Sequence, residues 1–193
     1  MIIRKLFKFE NAHIVRGCTS RRCSESIHGH SYKVELLFTS DRLDRGQMIY
    51  DFGLTKLAIK ELIDSFDHAI TLWSGDDPAY LEDMKRWSRR WVELPVSPSA
   101  EQYARVIFLM VELVLQNTVM VNNEGNVTIE SVIVHETDTG YAKATKEDAH
   151  SPLMGPIDLS LIRFSDGVCQ EWSDPNLWQK LLRGEKLQNP TKI

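Results

Sequence analysis

The sequence predicts an α+β domain in which an antiparallel sheet of four strands carries two helices on one face. Three observations predict it. Stretches of period-2 and helical apolar spacing follow one another in the order β-β-α-α-β-β over the first three-quarters of the chain. Turn-forming residues stand between them at Asp44-Arg-Gly46, Asn122-Asn-Glu-Gly125 and Thr139-Gly140. With 193 residues, 42% hydrophobic and 26% charged, the chain has the length and composition of one globular domain.

Taken in order, residues 2–10 alternate well enough for a strand, with Ile3, Phe7 and Phe9 among the apolar positions. A polar, basic loop follows from Val15 to Ile27. Residues 30–39 place Tyr32, Val34, Leu36 and Phe38 on one face of a second strand. Residues 54–66 carry Leu54, Leu57, Ala58, Leu62, Ile63 and Phe66 at amphipathic-helix spacing. Residues 79–91 read as a helix rich in Trp and Arg. Ser99, three residues before Gln102, is a cap for a long helix over 100–117. Val127–His135 alternates clearly as a strand, and a tight turn leads into a fourth, Tyr141–Thr145. Residues 1–146 thus form the expected domain. Residues 147–193 are a C-terminal extension of unknown role, with a strand expected over 157–164 and a short helix over 174–182.

The net charge of −4 gives no basic footprint for nucleic acid. The opening Met1-Ile-Ile-Arg-Lys lacks the apolar core of a signal peptide. The most apolar run, Val106–Val121, is broken by Glu112, Gln116 and Asn117, so no membrane span is expected. A cytoplasmic protein is the expectation. Three cysteines, with Cys18 and Cys23 close together and Cys169 far away, do not make a disulfide framework. The spacing C-x4-C has no second pair, which excludes a four-cysteine zinc site within one chain.

His28-Gly-His30 puts two imidazoles on one face of an extended segment. Gly29 between them lets the backbone come close to a ligand. If the first two strands pair, His13 meets both, and three histidines with an open position are the ligand set of a catalytic zinc site. Taken singly, each is equally readable as a surface or core residue. Cys23 lies five residues before His28 beside Arg16, Arg21 and Arg22, where positive neighbours favour a thiolate base or nucleophile; Cys18 competes for the role. Asp67-His68 is a carboxylate–imidazole pair of the kind that tunes proton transfer. Glu136, at a strand end, can accept paired hydrogen bonds from a guanidine-like edge, or simply be solvated.

The motifs come in an ordered series: F-x-x-A-H (Phe9–His13), C-x4-H-G-H (Cys23–His30), D-F-G-L-T-K (Asp51–Lys56), L-I-D-S-F-D-H (Leu62–His68), P-S-A-E (Pro98–Glu101) and V-x-E-T (Val134–Thr137). This series, over about residues 3–146, resembles the 6-pyruvoyltetrahydropterin synthase family, which includes the 6-carboxytetrahydropterin synthases of the queuosine pathway. The resemblance implies a tunnelling fold (T-fold) whose subunits join their sheets into a β-barrel, as a homotrimer or a stacked homohexamer. It implies zinc on His13, His28 and His30, Cys23 as the base, and Asp67 and His68 as relay partners at a subunit interface. Glu136 would anchor the pterin, with Thr137, Ser99 and Glu101 nearby. Four residues separate the cysteine from HGH, where family members commonly have three or five. Ala100 stands where a hydroxyl residue is usual.

The implied reaction converts 7,8-dihydroneopterin triphosphate to 6-carboxytetrahydropterin, releasing acetaldehyde and triphosphate. The alternative within the family is the 6-pyruvoyl-forming synthase of biopterin synthesis. An alternative of a different class is a non-catalytic, zinc-stabilised oligomer that binds pterins.

Overall fold

The computed structural model describes residues 1–193. The strands are β1 (Ile2–His13), β2 (His28–Thr39), β3 (Ala69–Trp73), β4 (Trp91–Leu94), β5 (Thr118–Val119), β6 (Thr128–His135), β7 (Tyr141–Thr145), β8 (Arg163–Phe164) and β9 (Leu187–Gln188). The helices are α1 (Arg21–Glu25), α2 (Ala58–Asp64), α3 (Pro78–Trp87), α4 (Ala100–Asn117), α5 (Lys146–Ala149), α6 (Asp166–Cys169) and α7 (Leu177–Leu182).

The main sheet has the order β7-β6-β2-β1-β3-β4-β8. Its first four strands are the antiparallel sheet expected from the sequence. β1 and β2 pair along twelve residues, from Ile2↔Thr39 to His13↔His28. The expectation of four strands is too few: β3 and β4 run parallel beside β1, and β8 closes that side antiparallel to β4. Residues 69–72 of β3 are all buried, so no alternation marks the strand in the sequence. The helix expected over 79–91 overlaps β4 only at Trp91. That helix stops at Trp87, with extended Ser88 as its C-cap. The expected helix over 54–66 is also broken, into a 3₁₀ turn at Leu54–Lys56 and α2, with Leu57 non-helical between them.

Helices α2 and α4 cover one face, as expected. Ile59, Leu62 and Ile63 of α2 and Tyr103, Val106, Ile107 and Met110 of α4 are buried with Phe7, Phe9, Val34, Leu36, Phe38, Val132 and Val134 of the sheet in one apolar core. α4 begins at Ser99, whose hydroxyl oxygen accepts from the Gln102 amide at 3.3 Å. The opposite side chains of β1 and β2, such as Lys8, Glu10 and Ser31, are exposed.

Residues beyond 147 pack on the same core through Ile162, Val168, Trp172, Leu177, Trp178 and Leu181. Only Arg163–Phe164 of the expected 157–164 strand pairs, because Leu159–Leu161 turns as a 3₁₀ helix. The expected helix over 174–182 begins at Leu177. No helix is long and apolar enough to cross a membrane.

Arg105 ties the segment 148–155 to α4. Its buried guanidinium donates to the carbonyls of Asp148, Ala149, Ser151, Met154 and Gly155 and to the side chain of Gln102. Arg105→Ala leaves these acceptors without a donor. It is expected to cost about 3 kcal/mol in urea denaturation, since hydrogen bonds to a charged group are individually worth roughly 1.5–3 kcal/mol. Faster proteolysis within 148–155 should accompany it; unchanged stability would show the guanidinium to be replaceable by water.

Candidate metal centre and active site

The β1–β2 register assembles a cluster of three histidines. His13 stands opposite His28 at the end of the ladder, and His30 lies two residues further along β2, on the same face. Their ring centroids are 4.5 Å (His13–His28), 5.4 Å (His13–His30) and 5.2 Å (His28–His30) apart. One nitrogen of each lies within 4.8 Å of the others, a spacing suited to a single ion. Gly29 serves the ladder rather than a ligand, as a Cβ there would sit 3.0 Å from the Asn11 carbonyl oxygen.

Two backbone carbonyls set the ring tautomers. His13 Nδ1 is 2.6 Å from the Pro98 oxygen and His28 Nδ1 is 3.0 Å from the Ser26 oxygen. A carbonyl only accepts, so both Nδ1 atoms carry the proton and both Nε2 lone pairs are free for a metal. Burial drives the His13 pKa down to about 4, with the charges of His28 and His30 adding to the effect and the Pro98 bond opposing it. His13 is therefore neutral at pH 7, the form a metal binds. These donors fit a divalent ion of the zinc type: three imidazoles, at least two of them oriented by backbone oxygens.

Tyr32 and Glu136 complete the wall. The Tyr32 hydroxyl donates to Glu136 Oε1 at 3.2 Å, and that oxygen is 3.8 Å from Nε2 of both His13 and His30. Burial, reinforced by Tyr103 and Glu136, raises the Tyr32 pKa, so the phenol stays a donor. Tyr32 was read from sequence as a core position. Its place two residues after His30 is the signal that puts it on the histidine face.

The remaining candidates divide. Cys23 sits half-buried on α1, tied back to the β1 end by the Val15 amide on its carbonyl at 2.9 Å, and near enough to Tyr32 to influence its ionisation. Of its basic neighbours, Arg16 is bound to Asp76 and stacked over Tyr80, and Arg21 is paired with Glu25. The Ser99 oxygen caps α4, and Glu101 is exposed in the first turn. The Thr137 hydroxyl accepts from the Gly140 amide at 3.0 Å and shapes the β6–β7 turn beside Glu136.

Asp67 and His68 are bonded to each other at 2.8 Å (Oδ2 to Nδ1) in the turn between α2 and β3. Burial alone would raise the Asp67 pKa, but hydrogen bonds from the Glu10 amide and His68 bring it below its usual value. His68 is exposed and lines a shallow depression of about 460 Å³ with Glu10, Ala12, Gly29, His30 and Ser31. Glu10 and Ser31 belong to the uncovered sheet face, so the pair looks outward from the chain.

A family model described as 6-pyruvoyl tetrahydropterin synthase matches residues 2–147. A Helicobacter pylori (strain J99) protein named 6-carboxy-5,6,7,8-tetrahydropterin synthase is 37% identical over 187 residues, covering 96% of this chain and 94% of the relative. An Aquifex aeolicus protein of the same name is 30% identical over 162 residues, 75% of this chain and 98% of the relative. Among solved structures, an uncharacterised Wolinella succinogenes protein aligns with TM-score 0.58 at 20% identity, covering 76% of this chain and 98% of that one. The Caenorhabditis elegans 6-pyruvoyl tetrahydropterin synthase aligns with TM-score 0.52 at 16% identity, covering 75% and 94%. These two structural likenesses establish the fold. The sequence match over residues 2–147 and the near full-length relative go further: the chain belongs to the 6-pyruvoyl tetrahydropterin synthase family.

Proposed function

We propose that this protein is a zinc-dependent 6-carboxytetrahydropterin synthase acting in queuosine (7-deazapurine) biosynthesis. It converts 7,8-dihydroneopterin triphosphate and one water to 6-carboxy-5,6,7,8-tetrahydropterin, acetaldehyde and triphosphate. One observation carries the choice of product: the 37% identity to a protein of that name spans 96% of the chain, tail included.

His13, His28 and His30 would hold the zinc, which supplies Lewis-acid polarisation of the substrate side-chain oxygens. The chain's own groups do the rest. Cys23, on α1 beside the end of β1, would remove the carbon-bound proton made acidic beside those oxygens. His68, held by Asp67 through Nδ1, presents Nε2 to move a proton to or from the side chain. Glu136 receives the 2-amino and ring N–H edge of the pterin, with Oε1 already steadied by Tyr32. Product analysis of the zinc-loaded protein by mass spectrometry tests the assignment. Acetaldehyde and the 6-carboxy product are expected; a 6-pyruvoyl product without acetaldehyde would overturn it in favour of the biopterin branch.

Glu136→Gln is expected to raise KM at least tenfold with a smaller change in kcat. The amide puts a donor where the pterin also donates, and one lost charged hydrogen bond is worth roughly 1.5–3 kcal/mol. An unchanged KM would leave Glu136 as a partner of Tyr32 alone.

The sheet edges support a ring assembly. Within one chain β3 pairs with β1 only at Asn11 and Ala12, and β7 has no neighbour on its outer side. Such edges call for a partner, and a ring of three chains joining β1 to β7 closes them. Asp67 and His68 then serve a neighbouring chain's metal centre. Co-assembled Cys23→Ala and His68→Ala chains should regain part of the activity, because some interfaces hold an intact set. An active monomer in sedimentation, or no recovery on mixing, would count against a shared site.

A further inference from the structure

His68 has a backbone φ of +51°, in the left-handed region that few residues other than glycine adopt, histidine being one of those found there more often than most. Such a conformation persists only where its surroundings impose it. Here two side chains, each from another part of the chain, bond the carbonyls of the turn. From β1, Asn11 Nδ2 donates to the carbonyls of Phe66 and Ala69, both at 2.8 Å, one on each side of Asp67-His68. Its Oδ1 accepts from Tyr103 at 2.7 Å and Thr71 at 3.0 Å, so the buried amide has all its partners and cannot swing away. From the segment before β4, Arg90 donates through Nε to the Asp67 carbonyl and through Nη2 to the Asp64 carbonyl, each at 2.8 Å. Its remaining arm is held by Glu171, just beyond α6. Asn11 also lies two residues from His13 and opposite His30 in the ladder. Asn11 thus sits on the strand of one metal ligand, opposite another, while its side chain holds the turn of the relay pair.

We propose that Asn11 and Arg90 are positioning residues which together clamp the Asp67–His68 turn in its left-handed form. Arg90 and Glu171 give residues 73–95 and the C-terminal extension a part in this. The inference rests on the relay role assigned above to His68. Neither residue touches substrate; each fixes where the His68 ring is presented. A displacement of about 1 Å at such a group costs up to roughly a hundredfold in rate.

The test is a double-mutant cycle. Asn11→Ala and Arg90→Gln are made separately in the wild-type chain and in His68→Ala, with zinc content, thermal stability, kcat and KM measured for each. The Arg90 side chain is 16% exposed whereas Asn11 is buried, so Arg90→Gln keeps the test alive should Asn11→Ala fail to fold. In the wild-type chain kcat should fall roughly tenfold to a hundredfold, with zinc content retained and KM changed less than threefold. In the His68→Ala chain the same substitutions should cost nothing further, since no ring remains to be placed. Unchanged kcat in the wild-type chain, or the same fold-loss in both backgrounds, overturns the clamp while leaving the relay intact. Full turnover by His68→Ala alone overturns the relay, and the functional role of the clamp falls with it.

Discussion

His30→Ala should leave a folded protein that neither retains zinc nor turns over substrate. His30 is the cleanest ligand to remove. His13 is fully buried and its loss would strand the Pro98 carbonyl, so His13→Ala mixes loss of fold with loss of metal. The His30 ring is partly exposed and makes no backbone bond, and its Cβ is kept in the variant, so the β1–β2 ladder survives. With two imidazoles left, the tetrahedral site falls below the three protein ligands a catalytic zinc needs. Elemental analysis of the purified variant beside a turnover assay decides the matter. Normal turnover by a metal-free His30→Ala protein would falsify the metal-dependent mechanism. The same loss should follow from stripping the wild-type protein with a chelator, and adding zinc back should restore activity only there.

The second large effect is expected at Cys23. Cys23→Ala should keep about one zinc per chain and the assembly, yet lower kcat roughly 10²–10⁴-fold, the range for removing a general base. α1 has no buried residue and is anchored by the Cys23 carbonyl, which alanine preserves, so stability should barely change. Cys18 is the control. Its thiol donates to the Ser20 carbonyl at 3.3 Å within its own loop. A dead Cys18→Ala beside an active Cys23→Ala would reassign the base to the other thiol.

Much of the site was legible because the ligands lie close together on two strands. H-x-H in an extended segment puts both rings on one face by alternation alone, and antiparallel pairing of neighbouring strands brings His13 to them. The orienting groups were not legible. The Pro98 carbonyl lies 85 positions from His13, and a backbone oxygen carries no residue signal. Asn11 carries no signal in the sequence, because an amide in a strand says nothing of its partners. Its four bonds reach residues 66, 69, 71 and 103.

By itself the sequence determined the antiparallel half of the sheet, the capped helix over 100–117, and the three histidines with their neighbouring thiol. All of these follow from local periodicity and short-range spacing. The tertiary structure alone decided that β3 and β4 join the sheet in parallel, because strands buried on both faces have no alternation to read. It decided as well that the stretch beyond 147 shares the core, since Trp172 and Trp178 bury against Phe164, a contact that no period within the stretch encodes. And it decided how the Asp67-His68 turn is held, for the side chains that bond its carbonyls, Asn11 and Arg90, lie far away in sequence, where no local pattern records them.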